Sequence, residues 1–256
     1  MDKIKNQIRD YWNAQPCNVK RSQHPVGSQE YFTQLSENRY RMEPHALDLA
    51  EFHKWAGKSV FEIGCGTGID AHEFAKHGAR YTGIDISKES IELAQTRFKK
   101  FGLHGNYFEL HDASKDLTKF GKQDLIYSYG VIHHWPDMDQ ILQNVKSIMH
   151  EHSQFHLMLY CKDSWKYAMI MKGLDQFEAQ AGCPYAKAFT KADVNYFLGN
   201  HFDIIDLRKA HCFMYNVEEY KKGNYILEPW FEAMPEQMRK AVKENLGWHW
   251  CIKCKK

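Results

Sequence analysis

In the stretch VFEIGCGTGID, residues 60–70, a short apolar run closes directly onto three alternating glycines. The run reads as a strand, the glycines as a tight turn, and the amphipathic residues that follow as a helix. The alternation then continues. KSVFEIG predicts a first strand, and GIDAHEFAKHG a helix turning Ile69, Phe74 and Ala75 to one side, with Gly78 as its stop. ARYTGID predicts a second strand. SKESIELAQTRFKKFG predicts a helix with Ser87 as N-cap, Glu89 in the first turn, a stripe of Ile91, Ala94, Phe98 and Phe101, and Gly102 beyond its end. NYFELHD and DLIYSYG predict the third and fourth strands, and DQILQNVKSIMH a helix. QFHLMLYC predicts a fifth strand, HFDIIDLRKA a sixth and WHWCIKCKK a seventh. Strands spaced by helices require parallel crossovers. The expected fold class is therefore α/β, a doubly wound, seven-stranded and mostly parallel Rossmann-like sheet. Such sheets bind ligands at the carboxyl ends of their strands, which puts the glycine turn at the mouth of the first strand.

The remaining segments divide around that core. An N-terminal helical cap is expected over 1–50, the ligand-binding core over 51–212, a helical and aromatic insertion over 213–246, and the final core strand over 247–256. Lys and Arg number 34 against 32 Asp and Glu, a formal charge of +2, so no basic excess points to nucleic acid. No apolar run approaches a membrane span, and MDKIKNQIRDYWN is too polar for the hydrophobic part of a signal peptide. Seven cysteines, an odd number scattered from Cys17 to Cys254, read as reduced thiols in a cytoplasmic protein. Cys251-x-x-Cys254 has no second Cys or His pair at zinc spacing.

The spacing Gly64-x-Gly66-x-Gly68 excludes two nucleotide motifs. A dinucleotide fingerprint requires glycine where Ile69 stands, and a phosphate-binding loop requires lysine where Asp70 stands. E-x-G-x-G-x-G after a first strand, with the acid Asp85 ending the second, instead resembles the class I S-adenosylmethionine-dependent methyltransferases. The resemblance covers residues 55–165 well, the end of the chain through strand topology alone, and residues 1–50 hardly at all. It implies S-adenosyl-L-methionine as cofactor and S-adenosyl-L-homocysteine as product. Gly64, Gly66 and Gly68 would let the backbone lie against the ligand, and the next helix N-terminus would favour its carboxylate. By the same resemblance Glu62 supports the loop and the ligand's amino group, and Asp85 accepts from both ribose hydroxyls. Asp112 would meet the adenine amino group and the Ala113 N–H a ring nitrogen. Tyr129 and Gly130 would border the methionine end through their backbone.

DLIYSYGVIHHWPD is similar to the fourth strand and turn of small-molecule methyltransferases. There His133 or His134 would contact the acceptor as general base, with Trp135 as a wall. Base-amine methyltransferases carry [DNS]-P-P-[YFW] at that turn, where this chain has SYGV. Cytosine-C5 enzymes carry Pro-Cys, whereas Cys183-Pro184 is reversed and further along. Nucleic acid is therefore an unlikely acceptor, and no membrane partner is expected. Despite Asp137-Met-Asp139 and Asp163, HHWPD is the wrong context for a catechol-type metal site, so no metal is expected. Arg39 and Arg41 are candidates for the methionine end or simply solvated helix faces. Tyr215, Tyr220, Tyr225, Trp230, Phe231 and Met234 suggest a lid, since aromatic walls exclude water and attract a sulfonium.

The expected function is methyl transfer to a small molecule, with oxygen, nitrogen, sulfur and carboxylate acceptors all open. A peptide or protein methyltransferase and a non-catalytic cofactor-binding partner subunit remain alternatives. The oligomeric state is open.

Overall fold

A computed structural model describes residues 2–17, 19–174, 182–222 and 224–256. Three helices lead: α1 (Asp2–Ala14), α2 (Gln29–Met42) and α3 (His45–Ala50). The alternating core follows as β1 (Ser59–Ile63), α4 (Ile69–Lys76), β2 (Arg80–Asp85), α5 (Lys88–Lys100), β3 (Tyr107–Leu110) and β4 (Gln123–Tyr129). It continues through α6 (Met138–Ser147), β5 (Met149–Cys161), α7 (Trp165–Met171), β6 (Ala188–Phe189), α8 (Lys191–Gly199) and β7 (Asp203–Ala210). The chain ends with α9 (Val217–Lys221), α10 (Pro229–Glu232), α11 (Glu236–Leu246) and β8 (His249–Lys255).

The strands form one sheet in the order β3-β2-β1-β4-β5-β8-β7, parallel except for β8, which runs antiparallel to both neighbours. All seven expected strands are present. The eighth, β6, is a two-residue strand beside Tyr160 and Cys161 of β5, too short for periodicity to signal. The order reverses between β1 and β4, and a crevice opens beyond their carboxyl ends. Both sheet faces are covered, as a parallel sheet requires. Val60, Leu125 and Tyr127 pack on one face with Phe74 and Trp248, while Phe61 and Ile126 pack on the other with Leu142 and Phe155.

The α5 cap is as expected: the Ser90 N–H donates to Ser87 Oγ at 3.1 Å. Its apolar stripe is buried at Ile91, Ala94 and Phe98, while Phe101 is half-buried. The N-terminal cap docks on that same helix start. Lys88 N–H donates to Asn13 Oδ1 at 2.8 Å, Ser87 Oγ–H donates to the Trp12 carbonyl at 3.2 Å, and Ile8 is buried in the main core.

The expected lid is placed otherwise. Phe213 and Tyr220 pack with Met169 of α7, Phe231 packs with Cys212 and Met214, and α11 lies along β7. The aromatic faces of 213–246 pack on one another and the far sheet edge, and the Tyr225 ring also lies 5.2 Å from the guanidinium of Arg21, which lines the crevice. Among the described residues of that segment, none lines the crevice at the β1 and β4 ends. The roof there comes from α1 and α2.

Candidate functional site

The crevice is a cleft of about 1330 Å³ of atom-free space, partly open to solvent. Its walls gather Glu62, Gly64, Gly66, Asp85, Asp112, Ala113, Tyr129, Gly130, His134 and Trp135. Gly68 and His133 do not line it.

The three glycines serve three purposes. At Gly64, φ is 75° and an added Cβ would lie 2.3 Å from Val131 Cγ2, so the β1 and β4 turns can pass only if this residue has no side chain. At Gly66, φ is 52° and an added Cβ would meet nothing within 4 Å, so this is the open cradle on the cleft. Gly68 begins α4 with φ 74°, and its Cβ would press on Ala94 Cβ at 3.2 Å. It is glycine for the packing of α4 on α5, and Thr67 and Ile69 on either side of it line the cleft in its place.

Asp85 ties the turn to β2. The Gly66 N–H donates to Asp85 Oδ2 at 2.9 Å and the Ser87 N–H to Oδ1 at 2.8 Å. Burial pushes its carboxyl up to about 6 against these backbone donors. Each oxygen keeps a second lone pair, so the ribose hydroxyls of the expected cofactor fit here. At the far end of the cleft the Ser114 N–H and hydroxyl both donate to Asp112 Oδ1, at 2.8 and 2.7 Å. That Asx turn fixes the side chain at the cleft and presents the neighbouring Ala113 there. Trp12 of α1 lines this region and stands edge-on to His134, with ring centroids 5.5 Å apart.

The opposite end is dominated by buried charge, where Asp70 and Glu43, which no motif singled out, join Glu62 and Arg39. Tyr81 donates to Glu62 Oε2 at 2.5 Å. Tyr40 and Tyr127 donate to Asp70 at 2.8 and 3.1 Å. Burial, then the Asp70 charge, raises the Glu62 carboxyl well above its usual range. Two acids facing the cleft this way suit the ammonium of an amino-acid ligand, whose charge would restore the ionised form of Glu62. Arg39 pairs with Glu43 and lies 3.6 Å from Asp70, with its guanidinium 4.0 Å from the Tyr129 ring centre. Arg39 therefore belongs to the site. Arg41 is exposed and does not. What separates Arg39 from Arg41 is the helix, where Leu35, Arg39 and Met42 recur at buried spacing.

The two histidines separate. His133 is fully buried, its ring 3.9 Å from the Tyr160 ring centre, and its carbonyl accepts from the Lys187 N–H at 3.0 Å. Burial drives its imidazole well below the ordinary value, with His134 and His249 acting in the same direction. His134 reaches the cleft, its Nδ1 2.8 Å from the Tyr185 carbonyl, so that nitrogen carries the proton. Burial lowers it to about 4. Neutral near pH 7, it is competent to accept a proton, though as a weaker base than free histidine. Residues 182–190, which no motif singled out, thus brace both histidines.

Beside Tyr129 lies a further cluster. Its hydroxyl is 2.8 Å from Glu43 Oε2, 2.7 Å from His45 Nε2 and 3.2 Å from His249 Nδ1, and those two imidazole nitrogens are 2.9 Å apart. Burial, reinforced by His249 and His211, holds His45 well below its ordinary value. The Tyr129 side chain, rather than only its backbone, is thus part of the cleft wall.

The family model described as "Methyltransferase domain" matches residues 54–203. A ubiquinone biosynthesis O-methyltransferase of Cupriavidus pinatubonensis is 26% identical over 157 residues, 60% of this chain and 63% of its own. The protein of that name from Coxiella burnetii is 32% identical over 95 residues, 36% of this chain and 39% of its own. The chain thus spans less than two thirds of the length of these curated relatives. Among solved structures, the magnesium protoporphyrin IX methyltransferase of Synechocystis PCC 6803 with bound S-adenosylmethionine aligns over 99% of this chain and 97% of its own. That alignment has a TM-score of 0.61 at 16% identity, a likeness of fold.

Proposed function

The chain belongs to the class I S-adenosylmethionine-dependent methyltransferases, and on that premise we propose that it methylates a small molecule held between Tyr129, His134 and the N-terminal roof. The observation that carries this reading is the roof. Helix α1 is pinned to the start of α5 by Asn13 and Trp12, so the methyl-donor site is a covered cleft rather than an open groove. A covered cleft suits a compact acceptor.

S-adenosylmethionine, when bound, supplies an electrophilic methyl group on sulfonium sulfur. The residues of the chain do the rest. Asp85 would hold the ribose, Asp112 and Ala113 the adenine edge, and Glu62 with Asp70 the ammonium, while Gly66 leaves room for the backbone approach. Trp12 and Trp135, which line the cleft, would shield the reacting centre from water. His134 Nε2 would take the proton of a hydroxyl or protonated-amine acceptor, while Nδ1–H stays anchored on Tyr185. Holding donor and acceptor near contact is worth up to about 7–11 kcal/mol in favourable cases.

The curated relatives are named ubiquinone biosynthesis O-methyltransferases, which favours an oxygen acceptor on a small ring compound. The test is incubation of a cell extract with the protein and isotopically methyl-labelled cofactor, followed by mass spectrometry. Label is expected in the small-molecule fraction. Label confined to polypeptide would overturn the reading.

A further inference from the structure

We propose that Glu43, His45 and His249 bind one transition-metal dication, with the Tyr129 hydroxyl as a fourth donor. This goes against the expectation from the sequence, where no metal spacing is visible because the two histidines are 204 positions apart.

The argument starts from proton counting. Four Lewis-basic atoms, Glu43 Oε2, His45 Nε2, His249 Nδ1 and Tyr129 Oη, make four contacts of 2.7–3.2 Å. With Glu43 ionised beside Arg39, the tyrosine proton goes to Glu43. If both imidazole nitrogens carry protons, the 2.9 Å contact between them sets donor against donor. If only His45 carries one there, the 3.2 Å contact from His249 to Tyr129 sets lone pair against lone pair. The reverse choice leaves His45 and Tyr129 opposed at 2.7 Å. No placement satisfies all four contacts, and in a buried setting an unmatched contact is costly.

A single cation satisfies every lone pair at once. The ligating atoms of Glu43, His45 and His249 lie within 4.8 Å of one another. Bonds of zinc length give tetrahedral edges of about 3.3–3.5 Å, so an ion requires the contacts of 2.7–3.2 Å to part and Glu43 Oε2 and His249 Nδ1, 3.9 Å apart, to draw together. Two imidazoles with one carboxylate select zinc or ferrous iron over magnesium or calcium. The charges around the cluster allow it. Arg39 pairs with the same Glu43 oxygen, Oε2, and Asp70, 3.6 Å away, shares its charge. His211 stacks on His249 at 4.7 Å between ring centres and lies 5.5 Å from His45. Glu43, Tyr129 and His249 line the cleft, which gives an ion its way in.

Metal uptake does not depend on the methyl-transfer reading. If that reading holds, the ion faces the acceptor region, where it would bind an acceptor hydroxyl and lower its pKa, so the ion would share the burden placed on His134.

Chelator-stripped protein titrated with zinc chloride by calorimetry should take up one equivalent. His45→Asn and His249→Asn should each weaken that uptake by at least about 100-fold, with far-ultraviolet circular dichroism and thermal unfolding as the check on folding. Absence of saturable uptake, or variants that bind zinc as the parent does, overturns the site. X-ray absorption at the zinc edge of the unmutated protein gives an answer even if the variants fail to fold. A first shell of nitrogen and oxygen with imidazole scattering supports the proposal. Sulfur at about 2.3 Å places the ion on cysteine and overturns it.

Discussion

Asp85 holds the glycine turn from behind: its Oδ2 accepts the Gly66 N–H at 2.9 Å, across 19 positions of sequence. One carboxylate therefore fixes the loop and, in the proposed reading, also holds the ribose. Replacing it removes both functions. Asp85→Ala should weaken S-adenosylhomocysteine binding about tenfold or more, on the roughly 1.5–3 kcal/mol expected of hydrogen bonds to a charged group. Asp85→Asn, which can keep the loop contact through its amide oxygen, should lose less. Calorimetry on both variants checks the order, and equal affinities for Asp85→Ala and the parent would remove Asp85 from the ribose site. Gly66→Val should abolish binding, because its side chain enters the cradle.

The position of Asp85 also sets a pH dependence with opposite signs for binding and for folding. Its carboxyl is raised from about 3.8 to about 6 by burial. Binding needs the carboxylate, so affinity for S-adenosylhomocysteine should fall as pH drops through 6, by up to about tenfold per unit below it. Stability of the ligand-free chain runs the other way. The folded state holds this proton more tightly than the unfolded chain, so the contribution is complete below pH 3.8 and lost as pH rises through 6. Asp85→Asn should flatten both curves, read by calorimetry and by denaturant unfolding from pH 4 to 8.

Gly64 is constrained by Val131 rather than by ligand. Gly64→Ala should cost roughly 2–4 kcal/mol, combining a clash at 2.3 Å with the strain of a side chain at φ 75°. Adding Val131→Ala should relieve the contacts with Cγ1 and Cγ2 and recover part of the loss, leaving the 2.9 Å approach to Val131 Cβ and the strain. Thermal unfolding of the single and double variants measures the coupling, and additive losses would mean the contact is not what requires glycine.

The histidines should part in function as they part in space. His134→Ala should lower turnover by about 100-fold or more, while S-adenosylhomocysteine still binds. With His134 lowered to about 4, any acid limb it causes in the pH–rate profile should centre there, not near 6.5. His133→Ala should chiefly cost stability, roughly 2 kcal/mol or more, by emptying the space against Tyr160. Parent-like turnover in His134→Ala would assign proton removal elsewhere.

Roof and insertion can be told apart by two tryptophans. Trp12→Ala should weaken cofactor binding several-fold, because Trp12 lines the cleft. Trp230→Ala, about half exposed on α10, should leave cofactor affinity and KM unchanged. The reverse result would restore 213–246 as the lid.

What the sequence alone determined is whatever lies close along the chain. Gly64, Gly66, Asp85 and Asp112 follow the ends of β1, β2 and β3, which are neighbours in the sheet in the same order as in the chain. Strand periodicity and glycine spacing therefore place them at one mouth with no knowledge of packing. The tertiary structure alone decided the rest. Strand β8 enters antiparallel between β5 and β7 and carries His249 up to His45 and Tyr129. No periodicity encodes that meeting, because it depends on which remote strand pairs with which edge. The aromatic content of 213–246 was equally plain in the sequence, but not the surface it covers. Amphipathic faces bury themselves wherever a complementary apolar surface is nearest, and here that was α7 and the far edge of the sheet. The roof fell instead to α1, whose polar sequence gave no hint that Asn13 and Trp12 would reach the start of α5.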